Sequence, residues 1–354
     1  MHTDYTPISD LGEFALIDRM RAVLGEPDDA DVLAGIADDA AVYRVGDGRV
    51  HVVTTDALIE AVHFDRTLMP MEYLGFKALS VNVSDVVAMN AMPRYATVAL
   101  GLPNNVSVEM IEGLYRGLKN AADAYHLTIL GGDTTAARFL TLAVTVIGEA
   151  DENDVVYRSG AQPGDVLCVT GDLGAAYAGL KVLLDQRRAL QEEGPSFQPD
   201  LSSFQYVIQR QLAPLARFQI VQEWAARDIR PHALIDISDG LASEVHHLCK
   251  QSSCGVHIHA AALPIALETR DVADQFAEDV DAYALFGGED YELLFALPEN
   301  MLEKLDPESY VAIGYFTGAD EGIHVQTPEG ERIPLQFGGY QHFEGSDAAA
   351  QDGS

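Results

Sequence analysis

The 354-residue chain has few basic residues, few cysteines and no long apolar run. Only 22 lysines and arginines oppose 55 aspartates and glutamates, which gives a formal net charge of -33. This charge excludes a basic nucleic-acid surface and weakens any case for binding to anionic membranes. No run of about 18 apolar residues is present, so no transmembrane helix is predicted. We therefore expect neither a nucleic-acid partner nor a membrane partner.

The three cysteines, Cys168, Cys249 and Cys254, lack the paired Cys or His spacing of a zinc site. Buried thiols in a reducing compartment explain them better. Residues 1–5 lack the basic region and apolar stretch of a secretory signal, so a cytoplasmic protein is predicted. Most of the acidic excess must lie on the surface, where a salt-rich cytosol would screen its self-repulsion. Adaptation to such a cytosol is a hypothesis.

Acidic residues recur where apolar runs end, and the chain is organised around these turns. The apolar run 233–237 contains Asp236 and is followed by Asp239 and Gly240. Similar turns, together with an aspartate in the predicted helix 71–91, supply these further oxygen ligands: Asp38, Asp39, Thr54, Thr55, Asp56, Asp85, Asp133, Glu289 and Asp290. Carboxylates in apolar settings repel one another and lose hydration unless cations share them. Oxygen ligands of this kind favour Mg²⁺ bound together with substrate phosphates.

The sequence contains neither a Gly-x-x-x-x-Gly-Lys-Ser/Thr loop nor the protein-kinase motifs, which argues against both of those folds. Phosphate binding would then come from metal, from backbone amides near Gly132 and from the planar fork of Arg158. His63 could donate to substrate, Glu289 could orient a cationic or hydrogen-bond-donating group, and Phe337 could stack on a ring. Simpler alternatives stay open, namely turn or N-cap aspartates, a core histidine, a hinge arginine and a core phenylalanine.

Length and a hydrophobic content of 48% predict two domains with full cores. Residues 1–152 alternate helical and strand patterns, which indicates an α+β domain with helices on one face of a sheet. The Pro/Gly-rich stretch 158–165 leads into a second domain, predicted over 153–343 as an α/β sandwich. Residues 344–354 are predicted to be a disordered acidic tail, and 191–205 a surface loop without an assigned role.

Seven motifs occur in order: Gly35-Ile-Ala-Asp-Asp, Thr54-Thr-Asp-Ala-Leu-Ile-Glu-Ala-Val-His-Phe, Lys77-Ala-Leu-Ser-Val-Asn-Val-Ser-Asp, Gly131-Gly-Asp-Thr-Thr, Arg158-Ser-Gly-Ala-Gln-Pro-Gly-Asp, Ile235-Asp-Ile-Ser-Asp-Gly-Leu and Gly287-Gly-Glu-Asp-Tyr-Glu-Leu. Together they resemble the thiamine-monophosphate kinase family, within the aminoimidazole-ribonucleotide-synthetase-like ATP-binding superfamily. The resemblance covers residues 8–343. It implies a two-domain fold of that superfamily, with an N-terminal sheet domain that pairs in a homodimer and ATP near the dimer interface.

The resemblance also implies an activity, ATP-dependent phosphorylation of thiamine monophosphate to thiamine diphosphate by direct in-line transfer, without a dedicated catalytic base. Carried over by motif, the Mg²⁺ shell would consist of Asp39, Thr54, Thr55, Asp56, Asp85, Asp133, Asp236 and Asp239. The residues implied in ATP binding are Tyr115, Gly132, Asp133, Arg158 and Ser238. Those implied in binding thiamine monophosphate are His63, Glu289 and Phe337.

Some positions depart from the family pattern. Ala37, Ala61 and Asn90 stand where the family usually has glycine, and Ala136-Ala137 replaces an Arg-Gly pair. These changes bear on loop geometry more than on metal binding. Other superfamily synthetases, a Mg²⁺-dependent phosphohydrolase and a nucleotide- or thiamine-sensing binding protein are the alternative functions. The absence of a cysteine before Cys168 disfavours a selenophosphate synthetase among them.

Overall fold

A computed structural model describes residues 6–25, 27–36, 38–194 and 198–339 of the chain. The predicted acidic tail, 344–354, lies outside the described residues, as do Ala37 and part of the predicted surface loop. Within the described part, two mixed β-sheets are each accompanied by helices. This architecture confirms the predicted α+β class, whereas the residue at which one domain gives way to the next stays a prediction.

The first sheet belongs to the N-terminal half and has the strand order β1-β2-β3-β6-β4-β5. Its strands are β1 (Val32–Ala34), β2 (Ala41–Gly46), β3 (Arg49–Ile59), β4 (Met92–Leu102), β5 (Thr128–Ala136) and β6 (Thr141–Asp151). The accompanying helices are α1 (Glu13–Leu24), α2 (Met71–Ala88) and α3 (Val108–Ala124). Neighbouring strands are antiparallel except β4 and β5, which pair in parallel. The strand β5 therefore forms one edge of this sheet.

The second sheet belongs to the C-terminal half and has the order β13-β12-β9-β11-β7-β10-β8. Its strands are β7 (Val166–Val169), β8 (Ala233–Asp236), β9 (Cys254–His259), β10 (Leu293–Leu297), β11 (Val311–Gly318), β12 (Ile323–Gln326) and β13 (Arg332–Pro334). The helices of this half are α4 (Ala175–Glu193), α5 (Gln205–Leu212), α6 (Phe218–Ala226), α7 (Leu241–Ser252), α8 (Leu267–Phe276) and α9 (Val280–Phe286). The edge strand β8 ends on Asp236, which places a carboxylate at the rim of this sheet.

The helix α2 joins the two halves, because it is buried along nearly its whole length. A helix that is apolar on most sides packs in a core rather than on a surface. It lies against both β3 and β6 of the first sheet and β8 of the second. Against α3 it packs closely, since a Cβ added at Gly117 would lie 1.8 Å from the carbonyl oxygen of Glu72. Side chains on α2 can therefore reach residues from either half of the chain.

Apolar residues recur at helical spacing over residues 8–25, a pattern that predicts one amphipathic helix. Two of these residues, Met20 and Leu24, are nevertheless 49% and 73% exposed. The helical part begins at Glu13, after a short 3₁₀ turn. In the described part of the chain, no helix is long and apolar enough to span a bilayer.

Candidate active site

A cavity of about 1370 Å³ lies where the two halves meet around α2. Its walls come from β3 and the turn after it, from α2 and α4, and from the loops that follow β8 and α9. The residues predicted as site residues that line it are Asp39, Thr54, Thr55, Asp56, His63, Asp85, Arg158, Asp236, Ser238, Asp239 and Glu289. Segments far apart in sequence therefore converge on one cavity.

Three carboxylates meet at one end of this cavity. Asp39, Asp85 and Asp236 each offer an oxygen atom, and these oxygens lie within 4.8 Å of one another. Asp39 comes from the turn before β2, Asp85 from α2 and Asp236 from the end of β8. Hydroxyl groups orient two of them. Thr54 Oγ1 donates to Asp85 Oδ2 at 2.6 Å, and Ser84 Oγ donates to Asp236 Oδ2 at 2.5 Å.

This cluster is electrostatically strained without a cation. Burial and the neighbouring Asp39 raise the pKa of Asp236 from 3.8 to about 7. Burial, followed by the charges of Asp56, Asp236 and Asp39, raises the pKa of Asp85 well above its usual value. Asp39 Oδ2 is buried and accepts no hydrogen bond from the residues that the structure describes. An all-oxygen donor set with an unsatisfied buried carboxylate oxygen fits a hard divalent cation such as Mg²⁺.

Arg158 holds one side of the cluster. Its Nε donates to Asp39 Oδ1 at 3.1 Å and its Nη2 donates to the same oxygen at 2.5 Å. Its backbone N–H donates to Asp38 Oδ1 at 3.2 Å. Burial and the neighbouring Asp39 raise the pKa of Asp38 to about 7, although Arg158 opposes this shift. The guanidinium group therefore orients Asp39 and leaves Oδ2 as its remaining ligand atom.

The loop after β8 is organised by Glu244, a residue to which the sequence analysis assigned no role. Its Oε1 accepts hydrogen bonds from the backbone N–H of Asp239 at 2.9 Å and of Ser238 at 3.3 Å. Burial raises the pKa of Glu244 well above its usual value, with the charge of Asp239 adding to the shift. Gly288 packs against this loop, since a Cβ there would lie 2.7 Å from the carbonyl oxygen of Ser238. Glu244 could have been suspected from its position in the first turn of α7.

Two residues predicted to bind substrate also line the cavity. The backbone N–H of Ile59 donates to His63 Nδ1 at 3.0 Å, so that nitrogen is an acceptor and the neutral ring carries its proton on Nε2. Glu289 contacts Lys77 and Gln211, two residues without a predicted role. Its neighbour Asp290 instead accepts a hydrogen bond from the backbone N–H of Gly174 and so holds the start of α4.

Four predicted site residues lie elsewhere. Gly132 and Asp133 are on β5, Tyr115 is on α3, and Phe337 packs edge-on against His246 and His247. The strand registers pair Asp56 with Val144, Val144 with Val98, and Val98 with Gly132. Three strand spacings separate β3 from β5, which amounts to roughly 14 Å. Asp133 therefore cannot share a cation with Asp56 of the same chain.

The two halves of the chain each match a known domain family. Residues 37–150 match the N-terminal domain of AIR synthase related proteins, and residues 162–325 match their C-terminal domain. These matches define the chain as an AIR-synthase-related protein with both domains in the usual order.

Curated relatives narrow this class. A thiamine-monophosphate kinase of Aquifex aeolicus is 37% identical over 339 residues, covering 95% of this chain and 99% of the relative. The Escherichia coli K12 enzyme is 36% identical over 344 residues, with 94% and 98% covered. The solved structure of AaThiL complexed with AMPPCP and TMP aligns with a TM-score of 0.81 at 33% identity, covering 96% and 100% of the two chains. The chain belongs to the thiamine-monophosphate kinase family.

Proposed function

We propose that this protein phosphorylates thiamine monophosphate to thiamine diphosphate at the expense of ATP. Curated thiamine-monophosphate kinases match nearly the whole chain, and a structural neighbour binds AMPPCP and TMP. The single observation that carries the proposal within this chain is the convergence of Asp39, Asp85 and Asp236 in the cavity. A cavity of this size can hold two phosphorylated substrates side by side, as direct transfer requires.

Mg²⁺ is the cation that we propose for this cluster, held by Asp39, Asp85 and Asp236. The hydroxyl group of Thr54 orients Asp85. When bound, the cation would supply positive charge that offsets the negative charge developing on the phosphates during phosphoryl transfer. The protein's own part is to keep the ligand carboxylates in place, through Ser84 and Arg158. Thr55, Asp56 and Asp239 line the same cavity and are proposed to complete the metal shell, with Ser238 beside the nucleotide.

No dedicated general base is required for this reaction. A phosphate monoester is already largely ionised near neutral pH, so its oxygen can attack the γ-phosphoryl group without losing a proton to the protein. We propose that His63 and Glu289 bind the thiamine part of the acceptor, because both line the cavity. Phe337 is 42% exposed and packs against His246 and His247 of α7 rather than lining the cavity, so its contact with substrate stays a prediction.

We further propose that the active protein is a homodimer in which Asp133 serves the site of the second copy. Every residue of β5 except Ile129 is exposed, including Leu130 at 60%, and among the described residues β5 is the edge strand of its sheet, paired only with β4. An exposed edge of this length is a template for pairing with another chain. A second copy placed there would supply Gly132 and Asp133, and Tyr115 from α3, to a site that one chain leaves incomplete.

A mixing experiment tests the shared site. Asp133→Asn and Asp236→Asn chains, each inactive alone, would be unfolded together and refolded into mixed dimers. If Asp133 acts in the partner's site, random pairing restores about a quarter of the wild-type sites, because each mixed dimer contains one site without a substitution. If Asp133 acts within its own chain, every site in the mixed dimer keeps one defect and activity stays lost.

Product analysis with ATP, Mg²⁺ and thiamine monophosphate tests the reaction itself. Equal amounts of thiamine diphosphate and ADP would establish the kinase. ADP formed without thiamine diphosphate would indicate a phosphohydrolase or another acceptor, and tight binding without turnover would indicate a sensing protein.

We also propose that residues 1–152 and 153–343 form the two domains, and that the protein is cytoplasmic.

A further inference from the structure

Lys77 is a buried cation within α2, the helix that also contains Asp85 of the carboxylate cluster. Its side chain is 1% exposed, which makes it one of the largest fully buried side chains among the described residues. A lysine ammonium group is almost never buried unless an anion or several acceptors compensate it. Lys77 Nζ lies 2.8 Å from Glu289 Oε1 and donates to the carbonyl oxygen of Gln211 at 3.2 Å.

The partner of Lys77 is a carboxylate at the cavity wall. Glu289 keeps 31% of its side chain exposed and lines the cavity. Gln211 Nε2 donates to Glu289 Oε2 at 2.9 Å, so each oxygen of the carboxylate is held by a different side chain. The backbone N–H of Glu289 donates to the carbonyl oxygen of Ser238 at 2.7 Å, with a φ of +59°. Contacts of both the backbone and the side chain of Glu289 therefore fix the position of this carboxylate.

This arrangement leaves acceptor capacity in the cavity. An ionised carboxylate has about four lone-pair sites, of which Lys77 and Gln211 use two. The rest can accept hydrogen bonds from a ligand. The ammonium group also keeps the pair neutral, which matters in a cavity that already contains the carboxylates of Asp39, Asp85 and Asp236.

We propose that Lys77 is a positioning residue that, together with Gln211, holds Glu289 as a fixed acceptor for the thiamine part of the substrate. The inference rests on the proposed function and deepens it. Thiamine contains a cationic thiazolium ring and an aminopyrimidine, so a fixed carboxylate can bind it by charge and by hydrogen bonds. Because Lys77, Gln211 and Glu289 come from α2, α5 and the loop after α9, substrate recognition depends on how the two halves pack together.

The test is a double-substitution cycle with Lys77→Met, Glu289→Gln and the combined variant. Lys77→Met removes the ion pair that holds the Glu289 carboxylate. This variant should raise KM for thiamine monophosphate about fivefold to tenfold, while KM for ATP stays within twofold. In the Glu289→Gln background, the same Lys77→Met change should have no further effect on KM. Glu289→Gln alone should lower the melting temperature by leaving a buried ammonium uncompensated, and Lys77→Met should restore it. Lys304→Met, at an exposed lysine, is the matched control.

Other outcomes would overturn the inference. An unchanged KM for thiamine monophosphate in Lys77→Met would do so, as would an equal rise in both KM values. An effect of Lys77→Met that persists in the Glu289→Gln background would assign Lys77 a purely structural role. If Lys77→Met does not fold, the combined variant and Gln211→Met decide, since the latter removes one carboxylate contact and should raise the same KM. A wild-type protein without thiamine diphosphate synthesis would instead refute the proposed function.

Discussion

Replacing Asp236 by asparagine should stabilise the metal-free protein while it abolishes turnover. Asp236 is 2% exposed, and its burial together with the charge of Asp39 raises its pKa from 3.8 to about 7. Each pKa unit corresponds to about 1.4 kcal/mol, so the ionised carboxylate costs the folded state on the order of 4 kcal/mol above pH 7. Asparagine removes this cost and can still accept the hydrogen bond from Ser84. The expected gain in unfolding free energy is therefore roughly 2–4 kcal/mol.

The sign of the pH dependence follows from the same shift. The folded state binds more protons than the unfolded state between pH 3.8 and about 7, so the stability of the wild type falls as pH rises through this window. Below the window the carboxyl group is protonated in both states and the two proteins should differ little. The advantage of Asp236→Asn should thus grow from pH 4 to pH 7 and then level off.

The assay is urea unfolding in EDTA at constant ionic strength, at pH 5 and pH 8, repeated with Mg²⁺. At a free Mg²⁺ concentration of 100 times the Kd, binding should raise the unfolding free energy of the wild type by about 2.7 kcal/mol. The same concentration should raise that of Asp236→Asn little. Asp274→Asn, at an exposed aspartate in α8, controls for the loss of a surface charge. A variant that is less stable than wild type at pH 8 in EDTA, or that gains equally from Mg²⁺, would refute the reasoning.

Two further predictions concern the backbone and the surface. Ala61 has a φ of +68°, so Ala61→Gly should raise the unfolding free energy by about 1 kcal/mol in urea titrations, whereas Ala57→Gly within β3 should lower it. A destabilised Ala61→Gly protein would show that this turn is not strained. Because the net charge is -33, the melting temperature and activity should rise from low salt to about 1 M KCl. A melting temperature and an activity that do not change with KCl would refute the hypothesis of adaptation to a salt-rich cytosol.

The departures from the family pattern have different physical consequences. Asn90 has a φ of +55° and follows the C-cap of α2, and asparagine tolerates the left-handed region through its short polar side chain. Its Nδ2 also donates to the carbonyl oxygen of Asp154 at 2.8 Å, which ties the helix end to the segment after β6. Ala61 has no such compensation in its side chain. Replacement of glycine therefore costs more at Ala61 than at Asn90.

Local pattern was sufficient to predict much of the secondary structure and to single out carboxylates that converge on one cavity. The helix expected over 71–91 is found as Met71–Ala88, and the apolar run before Asp236 is found as β8. Asp39, Asp85 and Asp236 could be singled out because a carboxylate in an apolar run is costly without a cation, whatever the fold. These properties depend on neighbours within a few residues, which a sequence displays directly.

Tertiary structure alone decided which of these residues meet. Asp39 and Asp236 are far apart in the chain, and they approach only because two sheets pack around α2. The same packing buries Lys77 against Glu289, although its position in an apolar helix gave no sign of a partner from the C-terminal half. It also leaves Asp133 on an exposed edge, three strands from Asp56. Contacts between distant segments depend on how whole elements pack, and a local residue pattern contains no information on that packing.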